Sequence, residues 1–153
     1  MYSQAFEWIK IPVLGRQGIR MWLYTNNLGF YSVVHKPPCK KDELLVRARC
    51  KDDIEKLKGL LSDKFNFSGK VINSPKADYA YRMIVPRDIW AAFMARTAME
   101  LDYDNFKDTI PNKDHLRHEA YFRCWEAMYE WQLNLKKIEA LQMKLLSYQV
   151  VII

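Results

Sequence analysis

Leu44-Leu45-Val46-Arg47-Ala48-Arg49-Cys50 is the stretch of this sequence that decides the fold. Side chains on a β-strand alternate between its two faces, so this segment has one apolar face and one face that carries Arg47 and Arg49. The same pattern describes an ordinary half-exposed strand. Two neighbouring guanidinium groups can also bind phosphates or carboxylates, because each offers a planar fork of donors. The stretch therefore predicts a sheet with an anion-binding surface.

Three more strands are predicted around this stretch. Aromatic and β-branched residues dominate 21–25 and 30–35, and the residues between them tolerate the positive φ of a hairpin loop. Residues 79–85 alternate in the same way, with Arg82 on the face opposite Met83. Residues 70–72 leave a further short strand open.

Two helices separate and follow these strands. Asp52 and Asp53 indicate the start of one helix, because negative charge stabilises a helix N-terminus. The second is predicted from Pro86, which is tolerated in a first turn, to about Leu101. An antiparallel sheet with helices on one face, in the manner of a ferredoxin-like plait, satisfies this order. The expected fold class is α+β, with a long C-terminal helix added.

The last helix is predicted to begin near Asp114 and to continue to about Ser147. Its apolar residues follow alternating spacings of three and four, interrupted at Gln142, which is typical of a seam that packs against another helix. The first half is expected to cover the domain. Beyond about Trp131 the seam either packs within the chain or pairs with a second subunit, which would give a homodimer. The seam consists of Tyr121, Cys124, Met128, Trp131, Leu135, Ile138 and Leu145.

These elements predict three parts of the chain. Residues 1–20 form an N-terminal appendage that is broken at Gly15 and Gly18 and is too apolar to be left in water. Residues 21–131 form the α+β core domain. Residues 132–153 form a C-terminal helix extension and an apolar tail, which is expected to dock against protein.

Composition narrows the class of protein. The chain has 153 residues, half of them apolar, so it can bury one proper core. Its formal charge of +6 favours acidic partners such as nucleic acid and argues against a mimic of DNA. No segment has the roughly 18 apolar residues of a membrane helix, so no membrane association is expected. An odd number of cysteines without an export signal predicts reduced thiols in the cytoplasm.

The region from Met21 to about Trp131 resembles a family of small uncharacterised bacterial and phage proteins. The matching pieces are MWLYT (21–25), GFYSVV (29–34), LVRAR (45–49), DYAYR (78–82), DYDNFKD (102–108) and HEAY (118–121). The resemblance implies a domain that begins at Met21, and it carries no established activity. The two terminal segments depart from the family pattern.

The arginines of two predicted strands form the main candidate site. If these strands are neighbours, Arg47, Arg49 and Arg82 can share a face with Trp22 or Tyr24. Cations beside aromatic planes suit stacked bases and their phosphates. The alternative is that the arginines pair with carboxylates across the sheet while the aromatic side chains lie in the core.

Other residues offer weaker chemistry. His118, near Arg117 and Arg123, is a candidate phosphate contact at the start of the last helix. The carboxylates of 102–108 could hold Mg²⁺, but the glycine and glutamate of an EF-hand loop are missing, so no metal site is predicted. Cys39 lies beside two lysines, a setting that can lower a thiol pKa. No phosphate-binding loop or nucleophile elbow is present, so neither a cofactor nor a catalytic residue is expected.

Three functions are consistent with these patterns. The first is a non-catalytic protein that holds a nucleic acid or nucleotide on an arginine and aromatic sheet surface. The second is an adaptor or inhibitor, of the kind a phage encodes, that contacts another protein through its terminal extensions. The third is a small metal-assisted phosphoesterase that uses His118 with Asp102 or Asp104.

Overall fold

The computed structural model describes residues 21–102, 109–110 and 114–150, with side chains described as far as residue 146. A five-stranded antiparallel sheet has the order β1-β2-β3-β5-β4, and three helices complete the α+β fold. The strands are β1 (Met21–Thr25), β2 (Gly29–Val34), β3 (Glu43–Ala48), β4 (Ile72–Asn73) and β5 (Tyr81–Pro86). The helices are α1 (Lys51–Phe65), α2 (Arg87–Met99) and α3 (His115–Val150).

The predicted α+β class and the antiparallel sheet are confirmed. The elements follow the expected order of three strands, a helix, a strand and a helix, with the short β4 added before β5. The first described elements are the strands β1 and β2, whereas a ferredoxin-like plait opens on a strand and a helix. Pro86 was expected in the first turn of α2 but is the last residue of β5, where a missing N–H donor is tolerated.

The described chain divides into two compact units. The first, called the sheet unit below, holds the described residues up to 23 together with 30–94. The second, called the long-helix unit, holds 24–29 and the described residues from 95 onward. Helix α3 crosses position 131 without a break, and the division at that position stays a prediction.

The core of the sheet unit lies between α1 and one face of the sheet, and α1 packs against β3 and β5. In β3 the alternation works as the sequence predicts, since Val46 and Ala48 are fully buried on this face. Helix α1 is amphipathic because its apolar residues recur at helical spacing, so one stripe faces the sheet. The buried residues of this layer are Tyr31, Val33, Val46, Ala48, Met83, Val85, Ile54, Leu57 and Leu61.

The carboxylate of Asp53 joins α1 to β2. Asp53 is 2% exposed, and its Oδ2 accepts a hydrogen bond from the backbone N–H of Phe30 at 3.0 Å. Its backbone carbonyl accepts a second bond from the Tyr31 hydroxyl at 2.8 Å.

Within the described part of the chain, no helix is long and apolar enough to cross a bilayer.

Candidate nucleic-acid interface

The register of the sheet brings the arginines predicted on β3 and β5 together. Arg47 is the antiparallel partner of Arg82 on one side and of Ser32 on the other. Directly paired residues point to the same face, so these three side chains lie on the sheet face opposite the α1 core. Like charges at directly paired positions repel, so this pair is costly unless acceptors or anions surround it.

Tyr79 is the residue on which the three arginines converge. The Cζ atoms of Arg47 and Arg49 lie 4.4 and 4.5 Å from the centroid of its ring. The Nε of Arg82 donates to the Tyr79 carbonyl at 3.2 Å. Tyr79 is itself 4% exposed, and its ring stabilises the two cations through cation–π contacts.

Arg47 is held firmly but keeps a free donor. Its Nη2 donates to the Ser32 hydroxyl at 2.6 Å, and Ser32 is itself 1% exposed. Its Nε is buried and has no hydrogen-bond partner among the described residues. Burying an unsatisfied donor of a charged group is costly, so the surroundings of Arg47 do not fully satisfy its guanidinium.

Arg49 is the arginine for which the carboxylate-pairing alternative holds. Its Nη1 lies 2.8 Å from Asp78 Oδ1, and the two side chains are 54% and 71% exposed. The hydrogen bond to Asp78 raises the pKa of Arg49, so the guanidinium stays charged. Exposed ion pairs contribute little to stability, so Arg49 can exchange Asp78 for another anion. Within the described ranges, neither Arg47 nor Arg82 has a carboxylate partner.

An open cavity of about 480 Å³ lies beside Arg47 and is lined by residues of β1, β2 and β3. Its wall is mostly apolar, and Trp22 at its mouth is 65% exposed. The Trp22 ring meets Phe30 edge to face at 6.0 Å, and Phe30 lies 6.1 Å from Tyr79. The cavity is lined by Met21, Trp22, Ser32, Val34 and Arg47.

We call Trp22, Phe30, Arg47, Arg49, Tyr79 and Arg82 the arginine–aromatic cluster. The sequence pointed to its arginines and to Trp22 but missed Phe30 and Tyr79. Tyr79 was expected on the Met83 face of a strand, but β5 begins only at Tyr81. Tyr79 instead lies in the turn segment 74–80, which is closed by a hydrogen bond from the Ser74 N–H to the Ala80 carbonyl. Its ring contacts Arg47 and Arg49 on the arginine face. The aromatic runs 21–25 and 30–35 were the available signal for Phe30.

Two predicted residues lie in the long-helix unit. Tyr24 packs edge to face against Tyr121 at 5.4 Å, and its hydroxyl lies 3.7 Å from the Cys124 sulfur. His118 is exposed in the first turn of α3. Trp22 lies in the sheet unit with the arginines, and the grouping of Tyr24 or His118 with those arginines stays a prediction.

The remaining candidate chemistry finds little support. Asp102 is exposed, and the rest of 102–108 lies outside the described residues. Among the described residues, no three His, Cys, Asp or Glu side chains are grouped to hold a metal ion. Burial raises the pKa of the Cys39 thiol, so this cysteine is less readily deprotonated than its neighbouring lysines suggested.

Comparison with known proteins gives no match to a family model, a curated protein or a solved structure. The resemblance of 21–131 to small bacterial and phage proteins therefore stays a prediction.

Proposed function

We propose that the arginine–aromatic cluster binds single-stranded nucleic acid, one nucleotide of which occupies the cavity beside Arg47. The observation that carries the proposal is the opposed pair Arg47 and Arg82, which lacks carboxylate partners among the described residues. Arg47 also lines an open cavity. The charge of +6 on the whole chain favours the approach of a polyanion.

The phosphate group belongs next to Arg47. A phosphate oxygen there would accept from the Arg47 guanidinium, whose Nε has no acceptor among the described residues. It would also relieve the repulsion between Arg47 and Arg82. Arg49 adds a third cation, partly neutralised by Asp78, so the cluster keeps an excess of positive charge.

The base belongs against Trp22. An exposed indole beside an apolar cavity offers a flat surface for stacking, and stacking accepts any base. Bases within a duplex are already stacked on each other, so this arrangement favours unpaired strands. Among the described residues no three His, Cys, Asp or Glu side chains are grouped to hold the metal ion of a phosphoesterase, so binding is the better-supported activity.

Fluorescence anisotropy with a labelled single-stranded oligonucleotide tests the proposal. The wild-type chain should bind it, with an affinity that falls steeply as salt rises, because phosphate contacts release counterions. Arg47→Ala should weaken binding about tenfold, or about 1.4 kcal/mol. It should also lower the slope of log affinity against log salt by about 0.7 per lost phosphate contact.

Trp22→Ala separates stacking from charge. We expect it to cost about 1–3 kcal/mol of binding free energy and to leave the salt slope unchanged. Tyr129→Ala is the matched control, since Tyr129 is an exposed aromatic residue on α3. Lys56→Ala, an exposed cation on α1, is the control for Arg47.

Arg82→Ala provides a second test if Arg47→Ala does not fold, as checked by circular dichroism. Oligonucleotide affinity equal to wild type in a folded Arg47→Ala or Arg82→Ala chain would exclude this site. An equal loss in Lys56→Ala would show general charge attraction in place of a site.

A further inference from the structure

Helix α3 exposes its apolar side chains along most of its length. Tyr121 is 8% exposed, and every residue from 122 to 146 is exposed. Apolar patches of this extent are rare on monomeric proteins and usually mark an interface. The exposed large apolar residues of this stretch are Phe122, Trp125, Met128, Tyr129, Trp131, Leu133, Leu135, Ile138, Leu141, Met143, Leu145 and Leu146.

Many of these residues fall on one face of the helix. Seven positions that alternate in spacings of three and four form what we call the α3 seam: Cys124, Met128, Trp131, Leu135, Ile138, Gln142 and Leu145. They occupy positions a and d of a heptad. The seam spans about three heptads, or about 32 Å of helix, which is enough for a short coiled coil.

We propose that the α3 seam binds the α3 seam of a second copy of this chain, in a parallel, in-register two-stranded coiled coil. This inference stands apart from the nucleic-acid proposal, because it uses none of the cluster residues. A second copy is the partner that the distribution of charged and amide side chains along α3 favours.

The flanks of the seam are almost without charge. Lys136, Lys137 and Lys144 lie on the outer positions of the heptad, as do Arg123, Glu126 and Glu130. Within 122–146, Glu139 is the one charged residue at the e and g positions that flank the seam. In a parallel pair it faces Asn134 of the copy, and the Asn134 amide can donate a hydrogen bond to it. Two identical seams therefore meet without like-charge repulsion, and nothing on them calls for a charged partner.

Gln142 decides the orientation. It sits at an a position, and in a parallel, in-register pair each a residue faces the same residue of the copy. Two glutamine amides complement each other, because each offers both a donor and an acceptor. In an antiparallel pair a positions face d positions, so Gln142 would be buried against a residue that cannot match it.

Sedimentation equilibrium of the full chain tests the association. We expect a dimer that Ile138→Asp weakens at least a hundredfold, because it buries a charge in the seam. Lys137→Asp is the matched control, since it places the same residue one position away on the outer face and should leave the dimer intact. A wild-type chain that is monomeric at all concentrations, or an Ile138→Asp chain that dimerises normally, overturns the proposal.

Cysteine cross-linking tests the orientation without depending on a destabilised variant. In a chain with Cys39, Cys50 and Cys124 changed to Ser, Leu145→Cys should form a disulfide-linked dimer under mild oxidation. Lys144→Cys, on the outer face, should not. Equal cross-linking of the two variants, or none in Leu145→Cys despite dimer formation, rules out the parallel, in-register arrangement.

Discussion

At the scale of single residues, Asp53 connects helix α1 to strand β2 in the sheet unit. Its buried carboxylate accepts the Phe30 N–H, and it occupies the first turn of α1, where negative charge is favoured. Asp53→Ala should lower the free energy of unfolding by about 2–3 kcal/mol, because it removes a charge-assisted hydrogen bond to a buried acceptor. Urea denaturation measures this loss.

Asp52→Ala is the control for Asp53. Asp52 lies in the same first turn and is exposed, so it shares the interaction with the helix dipole but not the hydrogen bond to β2. We expect Asp52→Ala to lower the free energy of unfolding by less than about 1 kcal/mol. Equal losses in the two variants would mean that the bond to Phe30 contributes nothing to stability.

Residues of the cluster differ in how far the sequence predicts them. Arg47 and Arg82 could be placed because strand alternation fixes the face on which each side chain lies. Tyr79 could not, because its position depends on a turn before β5 and not on the strand period. The raised pKa of the Cys39 thiol could not be predicted either. Its largest cause is burial, and burial depends on residues that are distant in the sequence.

Among the elements, α1 contains an exposed glycine at which a single change can raise stability. Gly59 lies exposed within α1, and a Cβ added there would meet nothing within 4 Å. Gly59→Ala should therefore raise the unfolding free energy by about 0.5–1 kcal/mol, because alanine loses less backbone entropy than glycine in a helix. A thermal melt of the two chains measures the change.

Gly69→Ala supplies the contrast, since this glycine is buried in the loop before β4. A Cβ there would lie 2.3 Å from the Met83 sulfur and 2.7 Å from its Cγ, and Met83 is fully buried. The variant should lose about 1–3 kcal/mol of stability through overpacking. A gain in both glycine variants would contradict the packing seen around Met83.

The helices and long strands were predictable because they carry strong periodic patterns, whereas their ends were not. Helix α3 was expected over about 114–147 and runs from His115 to Val150. The two-residue β4 is too short to carry a period, and the register with β5 defines it. The boundary between β5 and α2 was predicted one residue too early, at Pro86, because proline is tolerated both at a strand end and at a helix start.

For the whole molecule, heptad spacing predicts that the α3 seam packs against a helix but not which helix. The same stripe serves a contact within one chain or between two chains, and the distinction lies in burial, which no local pattern records. The +6 charge likewise predicts an acidic partner without locating it. The seam is exposed from Cys124 onward, and this exposure is the observation that favours pairing with a second chain.

Association through α3 should make the thermal stability of the chain depend on its concentration. A dimer that dissociates on unfolding gains about 1.4 kcal/mol for each tenfold rise in concentration. For two chains of 153 residues this raises Tm by about 2 °C. Far-ultraviolet circular dichroism follows the transition, since α3 contributes a large part of the helix signal.

Ile138→Asp should melt at a lower temperature that no longer changes with concentration, while Lys137→Asp should behave as wild type. A wild-type Tm that is constant over a hundredfold range of concentration would mean that α3 melts as a monomer, exposed apolar face included.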